Sequence, residues 1–257
     1  MAQRPRLPAA RTLAAMHVIV IRHHAEDAPG FIADAFAARG ATLATHLFPE
    51  QDALPEATGV DHVVVLGAVS SVYDDGTHRD WIAQELAWLR QVDAAGVPVL
   101  GICFGAQALC AAFGGRVEAA PRPEIGWTLI EPAGPGLIPA GPWLQFHGDR
   151  CLPPPEAAVL ARNETGVQAF AIGRHLAVQF HPEVDGEQLA RWLAAGGRDQ
   201  ARQAGQDPEE FLAETIAHEP AARSRAGQLV GTALRLAAAG SAREFLNPGM
   251  QPGGVAL

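Results

Sequence analysis

The chain predicts an α/β sandwich, with a mostly parallel central sheet and helices on both faces. Three observations predict it. Short apolar runs alternate with amphipathic segments along the first 115 residues. One apolar run ends in a glycine-flanked cysteine from which a helix departs at once. A length of 257 residues with 48% hydrophobic content is enough to bury a full core.

Taken in order, Met16 to Ile21 reads as a buried parallel-type strand, Gly30 to Arg39 as an amphipathic helix, and Ala41 to Leu47 and Asp61 to Leu66 as two further strands. Trp81 to Ala94 is a longer helix. After it come the strand that ends at the cysteine and a helix from Phe104 to Phe113, closed by Gly114-Gly115. Shorter strands follow around Thr128 to Glu131, Trp143 to His147, Ala157 to Arg162, Val167 to Ile172 and Leu176 to Phe180. Helices dominate from Glu187. Asp207-Pro208-Glu209-Glu210 is a helix start, and two helices, Asp207 to His218 and Ala221 to Ala239, are expected to meet at Pro220. This divides the chain into an N-terminal extension (1–15), a main domain (16–195), a helical appendage packed on it (196–246) and a flexible tail (247–257).

The chemistry concentrates in two segments. Residues 97–107 read Val-Pro-Val-Leu-Gly-Ile-Cys-Phe-Gly-Ala-Gln. Gly101 and Gly105 flank Cys103 at minus two and plus two, the pattern of a nucleophile elbow, where any Cβ would collide. The turn presents the sulfur at the C-terminal edge of the sheet, beside the unpaired N–H groups of a helix start. Residues 176–184 read Leu-Ala-Val-Gln-Phe-His-Pro-Glu-Val. His181 and Glu183, two apart in extended backbone, project to one side. An imidazole that takes the thiol proton and a carboxylate that holds that imidazole are the two groups a cysteine nucleophile still lacks.

Composition removes several alternatives. With 28 acidic against 19 basic residues the net charge is −9, which argues against nucleic acid as the main partner. Every basic side chain is arginine, so no lysine serves a phosphate loop or a Schiff base. No glycine-rich phosphate loop appears, and no cofactor is expected. Three unpaired cysteines point to a reducing, cytoplasmic setting, and no window is apolar enough to span a membrane. His23, His24, Glu26 and Asp27 raise the question of a metal. Adjacent residues at a strand end point apart and have no spaced partner motif, so no metal site is expected and they fall in a loop over the active-site edge. Cys110 reads as core, and Cys151 has no recognisable partner.

Chain order separates two families that share this elbow. In α/β-hydrolases the acid precedes the histidine by a long stretch, whereas here both form one His-Pro-Glu unit after the cysteine. Five separated blocks carry the comparison further: Leu66-Gly67-Ala68-Val69-Ser70-Ser71-Val72-Tyr73-Asp74, Gly101 to Gln107, Glu124-Ile125-Gly126-Trp127, Phe146-His147-Gly148-Asp149 and Val178 to Val184. Over residues 16–195 the chain resembles the class I (triad-type) glutamine amidotransferases, specifically their stand-alone GMP-synthase-like group.

The resemblance implies a flavodoxin-like three-layer sandwich and a Cys103–His181–Glu183 triad that hydrolyses the γ-amide of glutamine through a γ-glutamyl thioester. It implies an oxyanion hole formed by the N–H of Phe104 and one from the Gly67-Ala68 turn, where the family usually carries Gly-Gly-Pro and this chain has Gly67-Ala68-Val69. Gln107, one helical turn after the nucleophile, would hold substrate glutamine, and His147, Gly148 and Asp149 would meet its amino-acid end. Three functions stay open: a glutaminase that hands ammonia to a separate synthetase or ligase, a hydrolase of another γ-glutamyl compound, and a non-catalytic regulatory subunit.

Overall fold

The computed structural model describes residues 15–246 except positions 52 and 135, so the expected tail and all but the last residue of the expected N-terminal extension lie outside the described residues. The first half alternates as the sequence predicts: β1 (His17–Arg22), α1 (Gly30–Ala37), β2 (Thr42–Leu47), β3 (His62–Val65), α2 (Arg79–Ala94), β4 (Val99–Ile102) and α3 (Phe104–Ala112). Then come β5 (Arg116–Leu129), β6 (Glu131–Pro132), β7 (Pro142–Leu152), β8 (Ala158–Arg162), β9 (Val167–Ile172) and β10 (His175–Val178). Helices α4 (Gly186–Trp192), α5 (Arg198–Gln203), α6 (Pro208–Ala239) and α7 (Ala242–Leu246) close the described chain.

The sheet runs β2-β1-β3-β4-β10-β9-β7-β5. Its first five strands are parallel, and β9, β7 and β5 extend it antiparallel. Alternation along β1 explains the layering. Val18 and Val20 join Phe31 and Ile32 of α1 and Leu229 and Leu236 of α6 on one face. Ile19 and Ile21 join Trp88 and Leu89 of α2 and Leu109 of α3 on the other. Successive strand side chains point oppositely, so a Val/Ile run buried on both sides is the mark of a covered sheet.

Two expectations are corrected. The expected strand at Thr128 to Glu131 is split between the end of β5 and the start of β6, and that at Trp143 to His147 lies in β7, which forms with β5 a long hairpin whose register shifts between Ala119 and Glu124. Pro121 and Pro123 stand at that shift, and a ladder without prolyl N–H groups has no clean apolar alternation to read. The expected pair of helices meeting at Pro220 is instead one helix, α6, with Pro220 inside it. Phe211 and Thr215 are buried before the proline and Ala222, Ala226, Leu229 and Val230 after it. Packing on both sides therefore offsets the hydrogen bond that proline removes. The start is as predicted: the Asp207 side chain accepts from the N–H groups of Glu209 and Glu210, and Gly240 ends the helix at φ 77°.

Candidate active site

β3, β4 and β10 lie side by side, so the segments leaving their C-terminal ends converge. These segments carry Gly67, Cys103 and His181. Cys103 sits between β4 and α3 at φ 52°, the one non-glycine residue with positive φ among those described. Strain of this kind persists only where surrounding structure enforces it. A Cβ on Gly101 would come within 2.5 Å of the Gly105 carbonyl oxygen, and one on Gly105 would strike the Val65 carbonyl. Crowding, not a special φ, therefore requires both glycines. The Cys103 N–H donates to the Val178 carbonyl at 2.8 Å, tying the elbow to β10.

His181 follows β10 and is held by its own N–H on the Leu144 carbonyl at 2.8 Å. Its Nδ1 lies 2.7 Å from Glu183 Oε1, with both side chains buried. Burial opposes a charged imidazole, but the charges of Glu183 and Cys103 outweigh it and hold His181 well above the ordinary histidine range. Its Nε2 is buried and has no partner other than the Cys103 thiol, whose contact helps to raise it. Gly67 packs against both groups: a Cβ there would lie 3.2 Å from the His181 ring and 3.7 Å from Cys103 Cβ. The ring also meets Trp192 edge-on at 4.9 Å. Trp192 donates to Asp27 Oδ1 at 2.9 Å, and burial raises the Asp27 carboxyl, with the Glu183 charge adding to the effect.

The N–H groups of Phe104 and Ala68 make no hydrogen bond among the described residues. Ala68 is not among the residues with positive φ, so its Cβ fits the turn, where the resemblance implies glycine. Val69, where the resemblance implies proline, is 93% exposed.

Asp149 accepts from Ser71 Oγ at 2.5 Å and from Tyr73 Oη at 2.7 Å, which fastens the segment after Gly67 to β7. That acceptor bond raises the Tyr73 hydroxyl. His147 is gripped through Nδ1 by the Asp149 carbonyl at 2.9 Å and through Nε2 by Gln145 at 3.0 Å and Glu124 at 3.3 Å. Burial pushes the Glu124 carboxyl up, but His147, Asn163 and Gln168 prevail and its pKa is lowered. Gln107 is buried on α3, and its amide nitrogen lies 3.5 Å from Gln179 Oε1.

One cavity of about 470 Å³ gathers these groups. Cys103, His181, Gln107, His147, Gly148 and Asp149 line it together with Gly67 and Ala68, and Gln200, Gln203 and Ala204 of α5 and its end add a helical wall. His24, Glu26 and Asp27 also line it, whereas His23, in the same loop, is buried and does not. Among the described residues no cluster of His, Cys, Asp and Glu could hold a metal. Cys110 and Cys151 are buried and free. Sequence reasoning missed Trp192 and the α5 wall, and it placed Asp27 in the loop over the active-site edge without its Trp192 partner. It quoted Ser71 and Tyr73 without giving them a role, although Tyr73 is the one tyrosine of the chain.

A model of the glutamine amidotransferase class-I family matches residues 30–195. The glutamine-hydrolysing GMP synthase of Aeropyrum pernix is 35% identical over 208 residues, covering 76% of this chain and 36% of that protein. This chain thus spans little more than a third of that relative. Gamma-glutamyl peptidase 2 of Arabidopsis thaliana is 32% identical over 135 residues, covering 46% of this chain and 53% of that protein. A glutamine amidotransferase from Methylobacillus flagellatus shares the fold, with a TM-score of 0.77 at 22% identity over 95% of this chain and 99% of that one. Another from Thermotoga maritima has a TM-score of 0.77 at 24% identity, over 85% and 98%. With most of its length under one family model and its strands in that family's fold, this chain belongs to the class-I glutamine amidotransferases.

Proposed function

We propose that the protein is a glutaminase whose Cys103 attacks the γ-carboxamide carbon of glutamine and whose ammonia passes to a separate synthetase or ligase. The observation that carries this is the strained Cys103 beside a buried His181–Glu183 pair whose Nε2 has no partner other than the Cys103 thiol. The thiol proton passes to His181 Nε2 as the C–S bond forms, and the imidazolium gives it to the departing nitrogen as the C–N bond breaks. Water then adds to the thioester, with His181 taking its proton and returning it to sulfur as glutamate leaves. Glu183 keeps the imidazole in register, and the N–H groups of Phe104 and Ala68 hold the tetrahedral oxyanion. We assign Gln107, His147, Gly148 and Asp149, which line the same cavity, to holding the substrate glutamine. We assign residues 16–195 to catalysis and 196–246 to a helical extension whose first turns wall the cavity.

The test is ammonia release from glutamine. Cys103→Ala should abolish it, while Cys110→Ala and Cys151→Ala should keep most of it; equal turnover in wild type and Cys103→Ala would refute the assignment. The likeness to the A. pernix GMP synthase, of which this chain matches only part, supports a partner that uses the ammonia.

A second reading is favoured by one specific observation. The cavity continues from Cys103 to Gln200 and Gln203, which leaves room for a leaving group larger than ammonia, as in γ-glutamyl peptides. Faster glutamate release from γ-glutamyl dipeptides than from glutamine, with no stimulation by lysate of the source cells, would select this reading over ammonia transfer.

A further inference from the structure

Behind the Gly67-Ala68 turn lies another buried histidine–carboxylate pair that no step above uses. His23, just past β1 and 8% exposed, is held between two acceptors. Its Nδ1 is 2.8 Å from the Gly67 carbonyl oxygen and its Nε2 is 2.9 Å from Glu85 Oε2. Glu85 projects from α2, is 0% exposed, and leaves Oε1 without a partner. A carbonyl oxygen only accepts, so Nδ1 carries a proton and the Nε2–Glu85 contact holds a second. Burial works against charge on His23, yet the Glu85 charge and hydrogen bond, with the Gly67 carbonyl, outweigh it and raise His23 above the ordinary histidine value. The ring is wedged between Phe104, edge-on at 5.0 Å, and Trp81 at 5.4 Å. It therefore touches the residues that supply both halves of the proposed oxyanion hole.

A peptide unit is planar and trans, so the Gly67 carbonyl and the Ala68 N–H point in opposite directions from one rigid plate. Fixing the oxygen toward His23 fixes the N–H away from it. Gly67 itself lies against Cys103 and His181, and the next anchor along the segment is Asp149 on Ser71 and Tyr73. We propose that His23, oriented by Glu85, is a positioning residue that locks the Gly67-Ala68 peptide so that its N–H serves as the second oxyanion donor. This rests on the assignment of Cys103 as an acylating nucleophile.

Two reactions of Cys103 separate the oxyanion hole from everything else. Acylation by p-nitrophenyl acetate passes through a tetrahedral oxyanion and expels p-nitrophenolate. Alkylation by iodoacetamide displaces iodide at a saturated carbon and forms none. Both rates are taken above a Cys103→Ala background. His23→Phe should slow acylation about 10- to 100-fold while alkylation stays within about twofold. His23→Asn, whose amide nitrogen takes the place of Nδ1, should recover most of the loss, and Glu85→Gln should fall between. His23→Phe leaves Glu85 buried and unpaired, so the double variant His23→Phe/Glu85→Leu repeats the measurement with an apolar filling.

Unchanged acylation in these variants, or an equal fall in both reactions, would overturn the proposal. So would wild-type acylation no faster, relative to alkylation, than that of a free thiol. A wild-type protein that is acylated at Cys103 but hydrolyses no γ-glutamyl amide would refute the proposed function and leave this measurement decisive.

Discussion

His181–Glu183 and His23–Glu85 are the same chemical device in two settings. Both pairs are buried, with nitrogen–oxygen distances of 2.7 and 2.9 Å, and in both the histidine is raised despite burial. They differ in the other ring nitrogen. His181 Nε2 has no partner other than the Cys103 thiol, whereas His23 Nδ1 is committed to the Gly67 carbonyl. An imidazole that must move protons keeps one nitrogen open, and one that must hold a backbone in place keeps none. Burial and a carboxylate partner therefore do not by themselves mark a general base; the uncommitted atom does.

The largest effect that could break this contrast is on turnover. His181→Ala, like Cys103→Ala, should lower kcat for glutamine at least about 10³-fold. Comparable activity in either variant would remove the distinction between the two pairs. Next comes the orienting acid. Glu183→Gln should leave residual activity about tenfold or more above that of His181→Ala, because the acid holds a base that is still present. A silent Glu183→Gln, measured as kcat against pH, would reduce Glu183 to packing.

A third buried histidine sharpens the comparison from the other side. His62 has no carboxylate, both its ring nitrogens lack partners, and burial lowers it to about 3. Its unfolded form takes up a proton near pH 6.5 and the folded form does not, so stability present above pH 6.5 is lost as pH falls toward 3. Between pH 7 and pH 5 wild type should lose about 2 kcal/mol more than His62→Leu in urea unfolding. An equal loss would mean that the interior protonates His62 freely. The smallest effect concerns the far anchor of the oxyanion segment. Tyr73→Phe removes one donor to Asp149 and should lower kcat/KM for glutamine by a factor set by about 1 kcal/mol, with thermal stability nearly unchanged.

The two pairs also explain what was legible in the sequence. Glu183 stands two residues from His181 on one extended segment, so spacing alone brings them together. Cys103 announces itself through Gly101 and Gly105, and the parallel strands through Val/Ile runs covered on both faces. His23 follows β1 and Glu85 belongs to α2, and only the folded sheet brings them together under Gly67. The β5–β7 hairpin was hidden by prolines at its register shift, and α6 by a proline that packing on either side overrides. The α5 wall gave no signal, because Gln200 and Gln203 read as surface residues of a short polar helix.

That wall has an evolutionary and practical meaning. The segment matching the family model stops at residue 195, and Gln200, Gln203 and Ala204 line the cavity of Cys103 from beyond that limit. The break at Ala195 and Gly196, where φ reaches 112°, joins this lining to the domain that holds the proposed triad. On that proposal, selectivity can drift, or be redesigned by exchanging residues 198–204, without disturbing a group assigned to making or breaking a bond.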